Sequence, residues 1–346
     1  MFGRIRHIAM LMVSLLTLVG CDKTIHEYPA GHTLRLTVEC SVDMSDPEYF
    51  VTVECDPETG TSTVVRTQNM ELNNTRFTEP VCLRYIIDLY RVTSSHSVFV
   101  ERKVLFAAVD DPNPQAIATF DVEAEHYHVL VWCDYVQDAI RESWYYNTDN
   151  LLSIRYSDVP VVDNNDKDVF TNMLDVDLSE YYYAEGEHEL VYGLDLQRPK
   201  GRFKCITTDM DDYILGGGSI DNIIAKVTYT QYVSAGYNVE EQKPNYFEPT
   251  RTFTTNAKID AHGKLELCYD YVFVNGKQTN VKIDFFFYDS VISEDTEISH
   301  WTAITVPLRR NMETIVEGRM LTTSFGTGGI GIDPGFEDEI VIPWGD

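Results

Sequence analysis

Beyond residue 20 the sequence has no apolar run long enough to cross a bilayer as a helix, which takes roughly 20 residues, so a second membrane segment is excluded. No long amphipathic helix is visible, and neither low-complexity tracts nor internal repeats occur. C-x-x-C is missing, and with it the signature of a structural zinc site or a thiol redox centre. Also missing are the G-x-S-x-G elbow of hydrolases and the H-E-x-x-H of zinc peptidases. His188-Glu189 begins the second motif, but Tyr192 stands where its second His belongs. Bases are scarce as well: 27 Lys and Arg stand against 55 Asp and Glu, a net charge of −28. Such a surface repels nucleic acid and anionic membrane faces. The acids are spread along the chain rather than gathered in a tail, as on a solvated exterior. No enzymatic activity, no cofactor and no nucleic-acid partner is expected.

What is present begins at the N-terminus. Arg4 and Arg6 precede an uncharged run from Ile8 to Gly20 that has the length of a signal-peptide core. The run ends Leu18-Val19-Gly20-Cys21, which resembles the lipobox of bacterial lipoproteins. That resemblance implies cleavage before Cys21, acylation of Cys21 with palmitate-type chains, and a lipid-anchored protein of the outer membrane, at the cell surface. Residues 1–20 are then the signal peptide and residues 21–33 a lipidated linker. Six further cysteines (Cys40, Cys55, Cys82, Cys133, Cys205 and Cys268) allow fifteen disulfide pairings, among which spacing does not choose. Cys40, Cys133 and Cys268 lie in apolar strand-like runs, where buried free thiols are expected.

The remaining signals are almost all β. Leu34, Leu36, Val38 and Cys40 alternate with Arg35, Thr37 and Glu39, the period of a half-buried strand. Strands are likewise expected at 49–55, 81–92, 127–136, 188–196, 202–207, 224–233, 265–274, 279–288, 302–306, 312–321 and 338–343. A short helix is expected near 167–174. Asn275-Gly276 between two strand runs predicts a hairpin. Many short strands point to β-sandwiches, and Gln197-Arg198-Pro199-Lys200-Gly201 reads as a short linker between two of them, at 34–197 and 198–346.

Candidate sites are few. Gly326-Thr327-Gly328-Gly329-Ile330-Gly331 matches G-x-G-x-x-G in letters but has Pro334 behind it and no helix pattern, so a loop is expected rather than a dinucleotide site. His126 and His128 share a strand face, but no third metal ligand is identifiable and no metal site is expected. Asp163, Asn165, Asp166 and Asp168 only partly follow a calcium loop, with Lys167 and Asp168 at its fifth and sixth positions; a solvated turn is expected. Trp144-Tyr145-Tyr146 and Tyr181-Tyr182-Tyr183 are candidate sugar-stacking platforms.

Several segments in order resemble the Bacteroidales fimbrillin-type lipoproteins, the subunits and anchors of type V fimbriae. They are residues 83–92 (LRYIIDLYRV), 129–136 (VLVWCDYV), 151–158 (LLSIRYSD), and Arg198-Pro199 leading into 202–209 (RFKCITTD). The likeness continues through 271–276 (YVFVNG), 306–311 (VPLRRN), 318–323 (GRMLTT) and 332–336 (IDPGF). It implies an all-β chain of two tandem transthyretin-like, Greek-key β-sandwich domains and a structural or anchoring role in fimbriae built by strand addition. In that assembly a protease removes the first strand of a subunit and a neighbour's C-terminal strand fills the groove. The donor segment would be Glu339, Ile340, Val341, Ile342, Pro343 and Trp344, with Ile340 and Ile342 on one side and Val341 and Pro343 on the other. Pro343 lacks an N–H, which suits a terminal strand. Asp289-Ser290-Val291 resembles the O-glycosylation triplet of this bacterial group, which makes Ser290 a candidate acceptor. Fimbrial subunits are the expected partners, and a glycan-binding lipoprotein of nutrient uptake is the alternative. Replacing Cys21 by Ala should abolish lipid labelling in cells; a mature N-terminus elsewhere than residue 21 would overturn the lipobox reading.

Overall fold

The computed structural model describes residues 34–66, 81–142, 145–157, 165–184, 186–260, 262–290 and 296–324. Cys21, the 21–33 linker, the 326–331 loop, the 332–336 segment and the 339–344 strand lie outside the described residues. The first half carries β1 (Leu34–Val42), β2 (Glu48–Asp56), β3 (Thr61–Val65), β4 (Val81–Val92), β5 (Ser97–Ala108), β6 (Gln115–Val122), β7 (His126–Gln137), β8 (Tyr146–Asn147), β9 (Ile154–Tyr156), β10 (Val169–Asp177) and β11 (His188–Leu196). The second carries β12 (Lys200–Thr207), then α1 (Met210–Leu215), then β13 (Ile223–Tyr229), β14 (Val233–Asn238), β15 (Lys243–Glu248), β16 (Arg251–Asn256), β17 (Lys258–Ile259), β18 (Leu265–Phe273), β19 (Thr279–Asp289), β20 (Glu297–Leu308) and β21 (Met312–Gly318).

The chain is all-β and forms two sandwiches. In the first, β1 lies between β11, parallel to it, and β6, antiparallel. The alternation read in its sequence sends Leu34, Leu36, Val38 and Cys40 inward, against the facing sheet β10-β7-β4-β5. In the second, the six-stranded sheet β17-β18-β12-β21-β2-β3 faces β16-β13-β19-β20 over a core that includes Phe203, Val227, Phe285, Phe287 and Trp301. All six described cysteines are buried free thiols. Burial pushes Cys40 up to about 12, so it stays an unreactive thiol at neutral pH.

The expected boundary between residues 197 and 198 is crossed twice. β2 and β3 leave the first half, and β2 pairs in parallel with β21, which puts Val53 and Cys55 into the second core. A further sheet, β15-β14-β9-β8, takes two strands from each half. Alternation states that a segment is a half-buried strand but carries no information on its partner, so the sequence order hid both crossings. The expected linker is also absent. Arg198, Pro199, Lys200 and Gly201 are buried, and β12 runs between β18 and β21. At Gly201 an added Cβ would stand 2.6 Å from the Arg309 carbonyl oxygen, so glycine answers a close backbone approach and not a hinge.

Two other expectations change. Most of the helix expected near 167–174 is instead the start of β10 (Val169–Asp177), paired with β7. Asn275-Gly276 does make a tight turn, with Gly276 at φ +65° and the Asn275 N–H donating to Thr279 Oγ1 at 2.8 Å. It does not make a hairpin, because β18 and β19 belong to opposite sheets and the turn passes the chain between them.

The halves meet on the outer face of β7. Val129, Val131, Cys133 and Tyr135 fill the first core, while Leu130 and Trp132 point the other way into a third cluster with Tyr146, Ile154, Tyr237 and Phe273. Beside this cluster β12 contributes a buried base at every second position. Arg202 donates to Glu313 and, at 3.2 Å, to Asp46; Lys204 pairs with Glu266 at 3.2 Å. Just before the strand, Arg198 Nε meets both oxygens of Asp168 at 2.8 Å. Lys167 Nζ reaches Asp270 at 2.6 Å, and the Tyr229 hydroxyl donates to the other Asp270 oxygen at 2.8 Å. Lys200 differs, since among the described residues no carboxylate pairs with it. Its Nζ donates to the hydroxyls of Tyr146 (2.5 Å) and Tyr156 (3.0 Å) and to the Lys167 carbonyl (3.1 Å). The rings of Tyr146, Tyr156 and Phe273 surround it at 4.3–4.9 Å.

Burial holds the Lys200 ammonium well below the ordinary lysine range; Asp270 opposes that shift and Lys167 adds to it. A lysine whose pKa falls on folding costs stability at neutral pH, because the unfolded chain binds the proton more readily; the cost fades as pH rises toward ~10.5. Lys200→Met should therefore be neutral or stabilising by about 1 kcal/mol at pH 7, and should flatten the alkaline rise in stability. Lys167→Met leaves Asp270 without its cation and should cost about 3–5 kcal/mol. Because strands are exchanged between the halves, calorimetry should show one transition, which Lys167→Met lowers as a whole. Two separable transitions would mean that the halves fold independently.

Candidate functional site

A concavity lies on the outer side of β4 and β5, where the turn at 148–152 approaches them. It encloses about 500 Å³ and is lined by Asp88, Tyr90, Ser97, Phe99, Arg102, Asp149, Asn150 and Leu152. That volume suits a small ligand or part of a larger one. β4 and β5 are antiparallel neighbours, and a register shift between Leu89 and Tyr90 sets Tyr90 opposite Phe99. The two rings meet edge to face, with centroids 5.6 Å apart. Tyr90 is buried, whereas Phe99 is 52% exposed and offers a ring to solvent.

The polar side of the cleft is held rigidly. Arg102 donates through Nε to Asp88 Oδ1 at 2.6 Å and through Nη2 to Oδ2 at 2.7 Å, while Nη1 reaches the Thr148 carbonyl at 3.0 Å. Hydrogen bonding to the buried Asp88 carboxylate raises Arg102 above the usual guanidinium range, so the cation is permanent. Asn147 and Asn150 accept the N–H groups of Asp149 and Leu152 at 3.0 and 2.9 Å, which fixes the turn. Asp149 and Asn150 are exposed at its tip. An apolar ring facing an acid, an amide and a fixed cation can bind a neutral polar molecule by stacking and hydrogen bonds. It holds neither a nucleophile–base pair nor a pair of free carboxyls set for acid–base work.

None of these residues stood out in the sequence. β4 and β5 read as ordinary strands, and a concavity exists only once the 148–152 turn is folded against them. Of the aromatic platforms expected from sequence, Tyr145 and Tyr146 are buried in the junction cluster and cannot receive a ligand, and Trp144 lies outside the described residues. Tyr181 packs at the edge of the first core and against His188, and Tyr182 is exposed. The expected solvated turn at 163–168 is corrected in its described part; Asp163 and Asn164 lie outside the described residues. Lys167 and Asp168 are buried, committed to Asp270 and Arg198, and Asp168 is not available to a calcium ion. Ser290 is exposed just after β19, with its N–H bonded to the Asn222 carbonyl at 2.9 Å. His126 and His128 sit at the start of β7, and the fold brings Asp175 of β10 to them, a neighbour that the sequence did not reveal.

Solved structures similar to this chain include a candidate polysaccharide-binding protein from Bacteroides thetaiotaomicron, with 6% identity over 78% of this chain and 80% of that one and a TM-score of 0.42. A candidate adhesin from Bacteroides ovatus is similar at 12% identity over 82% and 87%, with a TM-score of 0.40. The fimbrial anchor protein Mfa2 from Porphyromonas gingivalis is similar at 7% identity over 78% and 81%, with a TM-score of 0.38. No curated protein matches the sequence. Residues 43–344 match the family described as "Family of unknown function (DUF6562)".

Proposed function

The chain belongs to the DUF6562 family, whose function is unknown, and we propose that it is a non-catalytic, lipid-anchored surface protein serving as a structural or anchoring component of fimbriae. The observation that carries this reading is the place of β1. It pairs on both sides, with β6 and β11, and Leu34, Leu36, Val38 and Cys40 are wholly buried beneath it. Each of the Leu and Val side chains contributes about 1.5–3 kcal/mol by its burial. A subunit that polymerises by strand addition gives up its first strand and leaves a groove. Here that strand starts about a dozen residues after Cys21, a tether of at most ~45 Å when extended. Cleavage at Arg35 would detach the body from its lipid, and loss of the whole of β1 would open the first core. A chain that stays on the membrane therefore keeps β1 in its own groove and accepts no strand there. It still has a C-terminal segment to give, residues 339–344, to a first subunit.

Deleting residues 338–346 should leave a folded, membrane-bound protein that no longer retains fimbriae on cells. Unfolding of the truncated protein would assign the tail to its own core, and fimbriae retained at the wild-type level would remove the donor role. Intact-mass analysis of the native protein checks Ser290 at the same time: an added glycan there supports modification, and an unmodified mass excludes it.

The cleft favours a second reading, in which the same surface protein binds glycans. Phe99 supplies a face for the apolar side of a sugar ring, and Asp149, Asn150 and Arg102 supply donors and acceptors around it. Phe99→Ala and Asp149→Ala should each weaken binding at least about tenfold on a glycan array, a loss near 1.4 kcal/mol, without changing the melting temperature. Equal binding by both variants would place any glycan elsewhere.

A further inference from the structure

β7 and β10 are antiparallel, with His128 directly opposite Asp175 and His126 opposite Asp177. Two residues apart on one strand, His126 and His128 point to the same side, and Asp175 joins them across the ladder. His126 Nε2 contacts Asp175 Oδ1, and His128 Nε2 lies 3.8 Å from the same oxygen. One ligand atom from each of the three falls within 4.8 Å of the others. Around a tetrahedral cation with bonds near 2.0–2.1 Å, ligand atoms sit about 3.3 Å apart, so closure needs only side-chain rotation. His126 and Asp175 are 39% and 57% exposed and free to make it.

The second observation comes from the other half of the chain. Glu240, beyond the end of β14, accepts from His128 Nδ1 at 2.7 Å and from Ser97 Oγ at 2.6 Å. A carboxylate on Nδ1 fixes the tautomer that leaves the Nε2 lone pair free, and that lone pair faces Asp175. This carboxylate–histidine arrangement is how proteins orient and strengthen an imidazole metal ligand. Asp177, opposite His126, has one carboxylate oxygen engaged by the Ser179 N–H at 2.9 Å. Two neutral imidazoles, one carboxylate ligand and the Glu240 carboxylate also balance a double positive charge. Imidazole with carboxylate suits zinc and its neighbours rather than calcium or magnesium.

We propose that His126, His128 and Asp175 form a binding site for a zinc-class divalent cation, oriented by Glu240, at the rim of the seam between the two halves. Three protein ligands on an exposed rim leave a fourth position for water. Since Glu240 comes from the second half, the cation ties β7 and β10 to the β14–β15 turn.

The test is titration of the chelator-stripped full chain in detergent with Zn²⁺, and with Co²⁺ for its visible spectrum. One equivalent should bind, with the intense absorption of tetrahedral Co²⁺ and a higher melting temperature. His126→Ala and His128→Ala should each weaken binding at least about 100-fold, and Glu240→Gln about 10- to 100-fold. His300→Ala, removing a histidine with Glu297 at its side, should change nothing. Absence of stoichiometric uptake by the wild type, or equal uptake by a His126→Ala/His128→Ala double variant, overturns the site. If His128→Ala proves less stable in chelator, the half-exposed His126 carries the test, since its removal opens no core.

Discussion

The arrangement depends on the bases buried along β12. A cation taken out of water must meet a partner of opposite charge or a set of hydrogen-bond acceptors, or the fold bears the full cost of its desolvation. The bases on this strand find partners on several elements: Lys200 on β8 and β9, Arg202 on β21, β18 and the β1–β2 connection, and Lys204 on β18. Arg198 adds Asp168 from ahead of β10 and the Ser45 carbonyl. The strand thus works as a collector, since moving any of these elements would strand a buried charge. That gives the two sandwiches one relative placement, where apolar contact alone would leave several of similar energy.

The same seam explains where the chemistry gathers. Trp132 and the aromatic rings around Lys200 close the deep part of the contact, and polar residues accumulate where it opens to water. His128, Glu240 and Ser97 form a continuous hydrogen-bonded line along that rim, and Ser97 also lines the cleft. The cleft and the histidine pair are therefore adjacent, and an ion held by one would stiffen the wall of the other. On the opposite side of the first sandwich β1 has partners on both flanks, so under the proposed anchoring, tension on the protein would be borne by a doubly paired strand.

Much of the secondary structure was legible because its signals are local. β4 at 81–92 and β11 at 188–196 match the sequence pattern to the residue, and the alternation of Leu34 to Cys40 correctly gives the buried side of β1. Period-two burial is a property of a strand's own backbone and needs no knowledge of its partner. The errors are of another kind. A short helix is expected near 167–174, yet from Val169 onward these residues pair along β7, a partner more than thirty positions away that local pattern does not reveal. Pro199 and Gly201 read as a linker, yet Pro199 is buried just before β12 and Gly201, inside that strand, admits the Arg309 backbone.

The sequence by itself determined an all-β chain, the strand periods and the excess of acidic residues, because each follows from composition or from neighbours along the chain. Only the tertiary structure decided which strands share a sheet, that β2 serves the second core, that six cysteines stay apart as thiols, and that Asp175 and Glu240 stand beside two histidines. Those are contacts between residues tens to hundreds of positions apart. Pairing energy depends on the whole set of partners available to a strand, and that set exists only when the chain is folded.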